Sequence, residues 1–353
     1  MKGHKLVAVI ALLSLGCFLA SAGLFVFAAQ SGRELDPAAS FTTEQLVDGG
    51  RQEKSLLWYT ASPQHKEVIK AFMARYPFVR VESIYGGGPT IAQRFYADKQ
   101  RGVEFADVFT SGLNELYPEM REKGYFAPLT GLPHWNAHPE WARDEKGFYV
   151  YYAEMRHGIM YNAALLREEE APRSYTELTD PKWKNRVTLV DPATGGMAVY
   201  LARFIVQHPA LGFDWLKKMG GNGVLLSYQV PQLGETVASG RRVVGLGRDL
   251  ETVTEQRRGA NVKFLLPKEG FPVQHYPVGI NRKAPHPYAA RLFVDWLLSE
   301  EGRVVHEELG YAVPKGTFEE IQKQGAWILD IEKYRGEDTK EFKTQASELL
   351  IGR

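Results

Sequence analysis

The sequence predicts an α/β fold divided into two lobes, and three observations carry that expectation. Short apolar runs bounded by Gly, Pro and small polar residues alternate with stretches of helical period. Three of these runs in succession end in small residues at the start of a helix, the pattern of open α/β units. A long extended stretch at 147–162 and a second at 276–281 are suited to carry the chain out of one lobe and back into it.

In chain order, 56–60 reads as a buried strand, followed by a turn through Ala61, Ser62 and Pro63 and a helix over 64–76 that Pro77 ends. A second strand at 79–85 leads through the Gly86-Gly87-Gly88-Pro89 turn into a helix over 90–101. A third strand at 106–110 is followed by Ser111, Gly112 and a helix to Lys123. Beyond the crossing at 147–162, the second lobe is expected to hold a strand at 186–190, a turn at 191–196, helices over 197–207 and 213–219, and strands at 243–247 and 262–267. The return crossing at 276–281 leads to helices over 287–299 and 300–309 that rejoin the first lobe. The expected division is 55–152 with 277–353 for lobe 1 and 153–276 for lobe 2, with 30–54 a polar spacer holding one short helix near Thr43 to Val47.

The N-terminus, 1–29, has Lys2 and Lys5 ahead of an apolar run, which reads as an export signal with a Val-x-Ala cleavage pattern at Val26 to Ala28; an uncleaved membrane anchor is the alternative. The single cysteine, Cys17, lies inside that run and follows Ser14-Leu15-Gly16, a lipoprotein box but for the serine. A chain that loses the signal has no cysteine, which removes thiol chemistry. The sequence has 43 basic and 42 acidic residues, a formal charge of +1, so neither a nucleic-acid partner nor a polyanionic tail is implied. Nucleotide P-loop, dinucleotide, serine-nucleophile and zinc-protease motifs do not occur, so no cofactor and no catalysis are expected. His134 and His138, between Pro133 and Pro139, read as loop residues rather than a zinc site.

Candidate ligand contacts lie where strands end. Thr194-Gly195-Gly196 opens a helix whose free N–H groups attract an anion, or is an ordinary helix start. Gly87 and Gly88 let the backbone approach a ligand, and Thr60, Ser62, Thr90 and Ser111 supply hydroxyls. Arg248, with Asp249 beside it, is placed to grip a carboxylate or phosphate in two parallel hydrogen bonds, or else to pair with Asp249 at the surface. Tyr152 and Glu154 on the outward crossing and Tyr276 on the return face either the cleft or the core.

Gln64-His65-Lys66-Glu67, Ala106-Asp107-Val108-Phe109, Asp180-Pro181-Lys182-Trp183-Lys184, the Thr194 turn, and Phe293-Val294-Asp295-Trp296-Leu297 followed by Glu301-Gly302 and Pro314 occur in that order. Across 56–315 the chain therefore resembles the ferric-ion-binding periplasmic proteins and their relatives, which serve ABC importers for iron, sugar phosphates, phosphonates, thiamine and polyamines. The resemblance implies a type II periplasmic-binding-protein fold with a ligand cleft between its lobes, and an exported monomer that delivers its ligand to an ABC permease. It also implies a metal set that this sequence departs from. His65 stands at the family's histidine position, but Gly112 falls where a glutamate would be, and Arg248-Asp249 where a tyrosine pair would be. Ferric ion is hard and needs anionic oxygens, so an anionic solute is expected instead. The rival readings are a ferric-ion binder with another ligand set, a hydrolase or lyase on this fold, and a membrane-tethered sensor lobe.

Overall fold

The structure is a computed structural model that describes residues 34–328 and 339–352. The expected signal at 1–29, with Cys17 and the cleavage pattern, lies outside the described residues. Among the described residues no helix is long and apolar enough to cross a membrane.

The chain opens with α1 (Thr43–Glu53), β1 (Ser55–Thr60), α2 (His65–Arg75), β2 (Arg80–Tyr85), α3 (Gly88–Gln100), β3 (Val108–Thr110), α4 (Leu116–Glu122) and the short β4 (Phe126–Ala127). The outward crossing β5 (Val150–Asn162) leads to β6 (Val187–Val190), α5 (Met197–Gln207), α6 (Gly212–Gly221), β7 (Leu225–Ser227), α7 (Val230–Ala238), β8 (Val244–Arg248), α8 (Asp249–Arg257) and β9 (Val262–Leu265). The return crossing β10 (Phe271–Asn281) is followed by α9 (Pro287–Leu298), α10 (Glu300–Glu308), α11 (Phe318–Lys323), β11 (Ala326–Ile328) and α12 (Thr339–Leu350).

The sheet runs β2-β1-β3-β10-β5-β8-β6-β7. Its outer triplets, β2-β1-β3 and β8-β6-β7, are parallel, and the long antiparallel pair β10-β5 joins them. The Val273–Arg156 to Tyr276–Ala153 register and a bulge at Tyr276/Pro277 mark where the two crossings run side by side.

Alternation along β1 explains why its whole run is apolar. Leu56 and Trp58 enter a core with Val68 and Phe72 of α2 and Phe293 of α9, while Leu57 and Tyr59 enter another with Phe95 of α3 and Tyr117 of α4. A strand covered on both faces has no solvent side to keep polar. The second lobe repeats the arrangement, with Leu189 and Leu246 packed against α5 and α6 on one side and Met160 and Val190 against α7 on the other.

Two parts of the expected division change. The segment 30–54 is not only a spacer: α1 buries Leu46 in the first-lobe core with Leu292 of α9. Its start is fixed by a capping box in which Gln45 N donates to Thr42 Oγ1 at 3.2 Å and Thr42 N to Gln45 Oε1 at 2.9 Å. Thr42→Ala is expected to lower stability by about 1 kcal/mol, read as a shift of the urea midpoint with unchanged slope. At the other end, α12 buries Ala346 and Leu350 with Trp215 and Leu216 of α6. The chain thus returns to the second-lobe core after α10, because α12 has an apolar face that α6 covers and the first lobe does not.

Candidate ligand-binding cleft

The cleft forms where β1, β2 and β3 of one lobe and β8 of the other end, against the wall made by β10. It encloses about 700 Å³. Of the expected contacts, Gly87, Gly88, Gly112, Gly196, Arg248 and Tyr276 line it. At Gly195, φ is +82° and at Gly196 +57°, so the backbone enters α5 through a conformation that favours glycine, with Gly196 itself at the cleft.

Arg248 ends β8 and is 5% exposed. Its partner is Glu251, one turn into α8, and not Asp249: Nε donates to Oε2 at 3.0 Å, Nη2 to Oε1 at 2.5 Å, and the backbone N to Oε2 at 3.0 Å. Nη1 points at Met155 Sδ, 2.6 Å away. Burial presses on the guanidinium charge, but the Glu251 carboxylate more than offsets it and holds the arginine pKa above its usual value. Tyr276, also buried, has its hydroxyl within reach of the guanidinium, and burial raises its pKa. A guanidinium has more N–H groups than these contacts use, which leaves donor capacity toward the cleft.

Asp249 faces the other way and pairs with Arg156 Nε at 2.8 Å. Burial raises its carboxyl to about 6, and Arg156 restores only part of the loss. The expected Arg248–Asp249 unit is therefore split, because neighbouring residues at the start of a helix project in different directions.

The remaining expected contacts do not line this cleft. Thr60 is fully buried, and its Oγ1 accepts from Ser62 N and Thr110 Oγ1, both at 2.9 Å. Ser62 shares a 2.7 Å hydrogen bond with Tyr311, and Ser111 Oγ accepts from Leu113 N. These hydroxyl oxygens tie together the loops that carry them, Thr60 and Ser111 as acceptors. His65 bonds Ser62 O through Nδ1 at 2.9 Å and stacks on Tyr85 with centroids 4.7 Å apart. Thr90 is exposed on α3, and Thr194 donates its hydroxyl to Asp191 O at 2.7 Å. Tyr152 packs edge-on to His306 in the core. Glu154 lies 3.0 Å from His275 and, with Arg156 and Tyr311, lines a separate cavity of about 470 Å³.

Sequence reading missed Gln64, Tyr85, Gln229, Glu251, Glu255 and Gln274, which line the cleft. Tyr85 was legible as the last residue of a strand. Glu251 and Glu255 were legible only as residues one and two turns past Arg248. Two arginines, Arg248 and Arg258, and two glutamates, Glu251 and Glu255, are the charged side chains lining the cleft, and Glu255 is bonded to Arg258 at 2.8 Å. Gln64 Nε2 reaches Thr254 Oγ1 across the cleft at 3.2 Å.

Comparison with known proteins gives this geometry a family. An uncharacterized protein of Haemophilus influenzae is 29% identical over 243 residues, 66% of this chain and 69% of its own length. A candidate 2-aminoethylphosphonate-binding periplasmic protein of Salmonella typhimurium is 26% identical over 67% of this chain and 69% of its own. Iron uptake protein A1 of Synechocystis is 25% identical over 67% and 68%. Among solved structures, the substrate-binding protein of an ABC transporter from Agrobacterium tumefaciens superposes with a TM-score of 0.73 at 18% identity, over 86% of this chain and 97% of its own. AfuA of Actinobacillus pleuropneumoniae, with fructose-6-phosphate bound, superposes with 0.59 at 21%, over 84% and 97%. At such identities the likeness is one of fold, and that fold is the type II periplasmic-binding-protein fold. Residues 103–325 match the family model for bacterial extracellular solute-binding proteins, and with a two-lobed α/β fold around a cleft, the chain belongs to that family.

Proposed function

We propose that this chain is the extracytoplasmic solute-binding component of an ABC importer, capturing a small anionic organic solute between its lobes and handing it to a permease. The solute class is a phosphonate, phosphate ester or carboxylate. The observation that carries the anionic part is Arg248, a buried guanidinium lining the cleft and held in place by Glu251, beside the start of α5 at Gly196. The names of the phosphonate-binding relative and of the fructose-6-phosphate complex support the same class.

The balance of charge adds a restriction. Two arginines and two glutamates line the cleft, so a solute with a negative and a positive or hydroxylated end suits it better than a bare polyanion. A ferric reading has the support of the iron-uptake relative, but the cleft carboxylates are each bonded to an arginine. In this reading the lobes divide near the Tyr152/Ala153 and Tyr276/Pro277 positions of β5 and β10 and move as a hinge on that pair, as a monomer, with no chemical step.

The test is a thermal-shift and native mass-spectrometry panel of phosphonates, phosphate esters, carboxylates and Fe(III) on protein purified without refolding. A ligand at one hundred times its Kd adds about 2.7 kcal/mol. The expected result is a rise in midpoint with at least one organic anion, recovered unchanged. Stabilisation by Fe(III) alone, with a visible charge-transfer band, would overturn the anionic reading.

A further inference from the structure

Gln274 stands on β10 opposite Met155 of β5, lines the cleft, and is 5% exposed. Its Nε2 donates to Gly112 O at 3.2 Å. Its Oε1 has no hydrogen-bond partner among the described residues. The orientation of the amide is dictated by its partner: Gly112 O accepts only, so the NH2 end faces it and the carbonyl end faces away. Gly112 makes this approach possible, because a Cβ there would sit 2.6 Å from Nε2. A buried amide oxygen left without a donor is costly, whereas a donor brought by a ligand removes that cost.

Two residues on, Tyr276 faces the same cleft, with its hydroxyl within reach of Arg248. The end of β8 and the β10 wall therefore set beside one cleft a cation suited to an acid group and a buried amide whose oxygen has no partner among the described residues. Resting on the anionic reading above, we propose that Gln274 is a specificity-determining residue that selects, among anionic solutes, those bearing an ammonium or hydroxyl group near the acid. Its role is recognition by hydrogen bonding, and the carbonyl oxygen is the recognising atom.

The experiment compares matched probes that differ only in the donor: 2-aminoethylphosphonate with ethylphosphonate, glycerol 3-phosphate with propyl phosphate, and lactate with propionate. Calorimetry on the exported form of the chain should show the donor-bearing member of at least one pair bound about tenfold or more tightly. Gln274→Met, similar in length and without the amide, should reduce that ratio to about twofold or less while leaving the donor-free member within about threefold of its original Kd. Gln274→Glu is the second variant. It turns the acceptor into a charge and should raise the preference for the ammonium probe over the hydroxylated ones, and it keeps the test available if the methionine variant does not fold. Anions bound with a ratio near one, or with a ratio that both variants leave unchanged, would overturn the role of Gln274 while the anionic reading stands. Failure of every probe to bind the unaltered chain would overturn both.

Discussion

Arg248→Ala is expected to lose both anion binding and about 3–5 kcal/mol of stability, because it leaves the Glu251 carboxylate buried without its partner. Glu251 is 7% exposed, and its oxygens are held by the Arg248 Nε, Nη2 and backbone N. A single substitution thus confounds two roles. The double variant Arg248→Met with Glu251→Leu separates them, since replacing a buried ion pair by apolar residues of similar size is often neutral or better. Urea melts should show the double variant within about 1 kcal/mol of the original chain, while calorimetry should show no anion binding. If the double variant binds the same anion as tightly as the unaltered chain, Arg248 is a structural residue and the anionic reading loses its main support.

Acidification is the second large effect. His138, His157 and His306 are all buried, and burial lowers their pKa values to about 3, 3 and 4; Arg303 presses further on His138 and Arg248 on His157. Each is a base with a folded pKa below its unfolded value. Their contribution to stability is therefore present above pH 6.5 and lost as pH falls toward the folded values, because the unfolded chain takes up protons first. Asp249, raised to about 6, and His286, raised by Asp107, act in the opposite sense and offset part of the loss. The three imidazoles alone account for a loss on the order of 5 kcal/mol between pH 7 and pH 5, and the two opposing groups leave a smaller net loss, seen as a falling thermal midpoint. His157→Phe should flatten that slope. A midpoint that does not move across this range would show that the three imidazoles are not held neutral by burial.

In the first lobe β1 was legible because it is covered on both faces and so reads as an unbroken apolar run, whereas β2, an edge strand with only Val81 buried, was legible from Pro77 before it and the glycine turn after it. The run at 56–60 became β1 (Ser55–Thr60), and that at 79–85 became β2 (Arg80–Tyr85). The crossing strands were legible from length. The cleft was half legible. Glycines at strand ends and Arg248 announce themselves by residue type, but α7 and α8 were missed, and they supply much of the opposite wall. Helix α7 contains Pro231 and Gly234, which break the expected pattern. Helix α8 buries Asp249, Glu251, Thr252 and Glu255 beside Leu250, so its inner face is polar and gives no apolar period to detect. Gln274 was missed for a related reason. A strand buried on both faces shows no alternation that would single out the side facing a ligand.

The structure places the hydroxyls differently. Thr60, Ser62 and Ser111 have the right residue type at the right strand ends, yet each is taken up by a neighbour. Residue type at a strand end says that a polar group is needed there, and not whether the loop or the ligand uses it.

Among the described residues, the lobes meet through Gln64 to Thr254 at 3.2 Å and the Arg257 guanidinium to the Glu308 carbonyl, both polar, and through Leu250 of α8, which is buried in the first-lobe core with Tyr276, Leu309 and Tyr311. The β5–β10 pair stays hydrogen-bonded between the lobes. On the hinge reading proposed above, opening trades the polar contacts for water but also has to withdraw Leu250 from the first-lobe core. On that reading the dwell time of a captured solute is set jointly by Leu250 and by the solute's own bonds to the two walls, so that a poorly matched molecule escapes sooner than a well matched one.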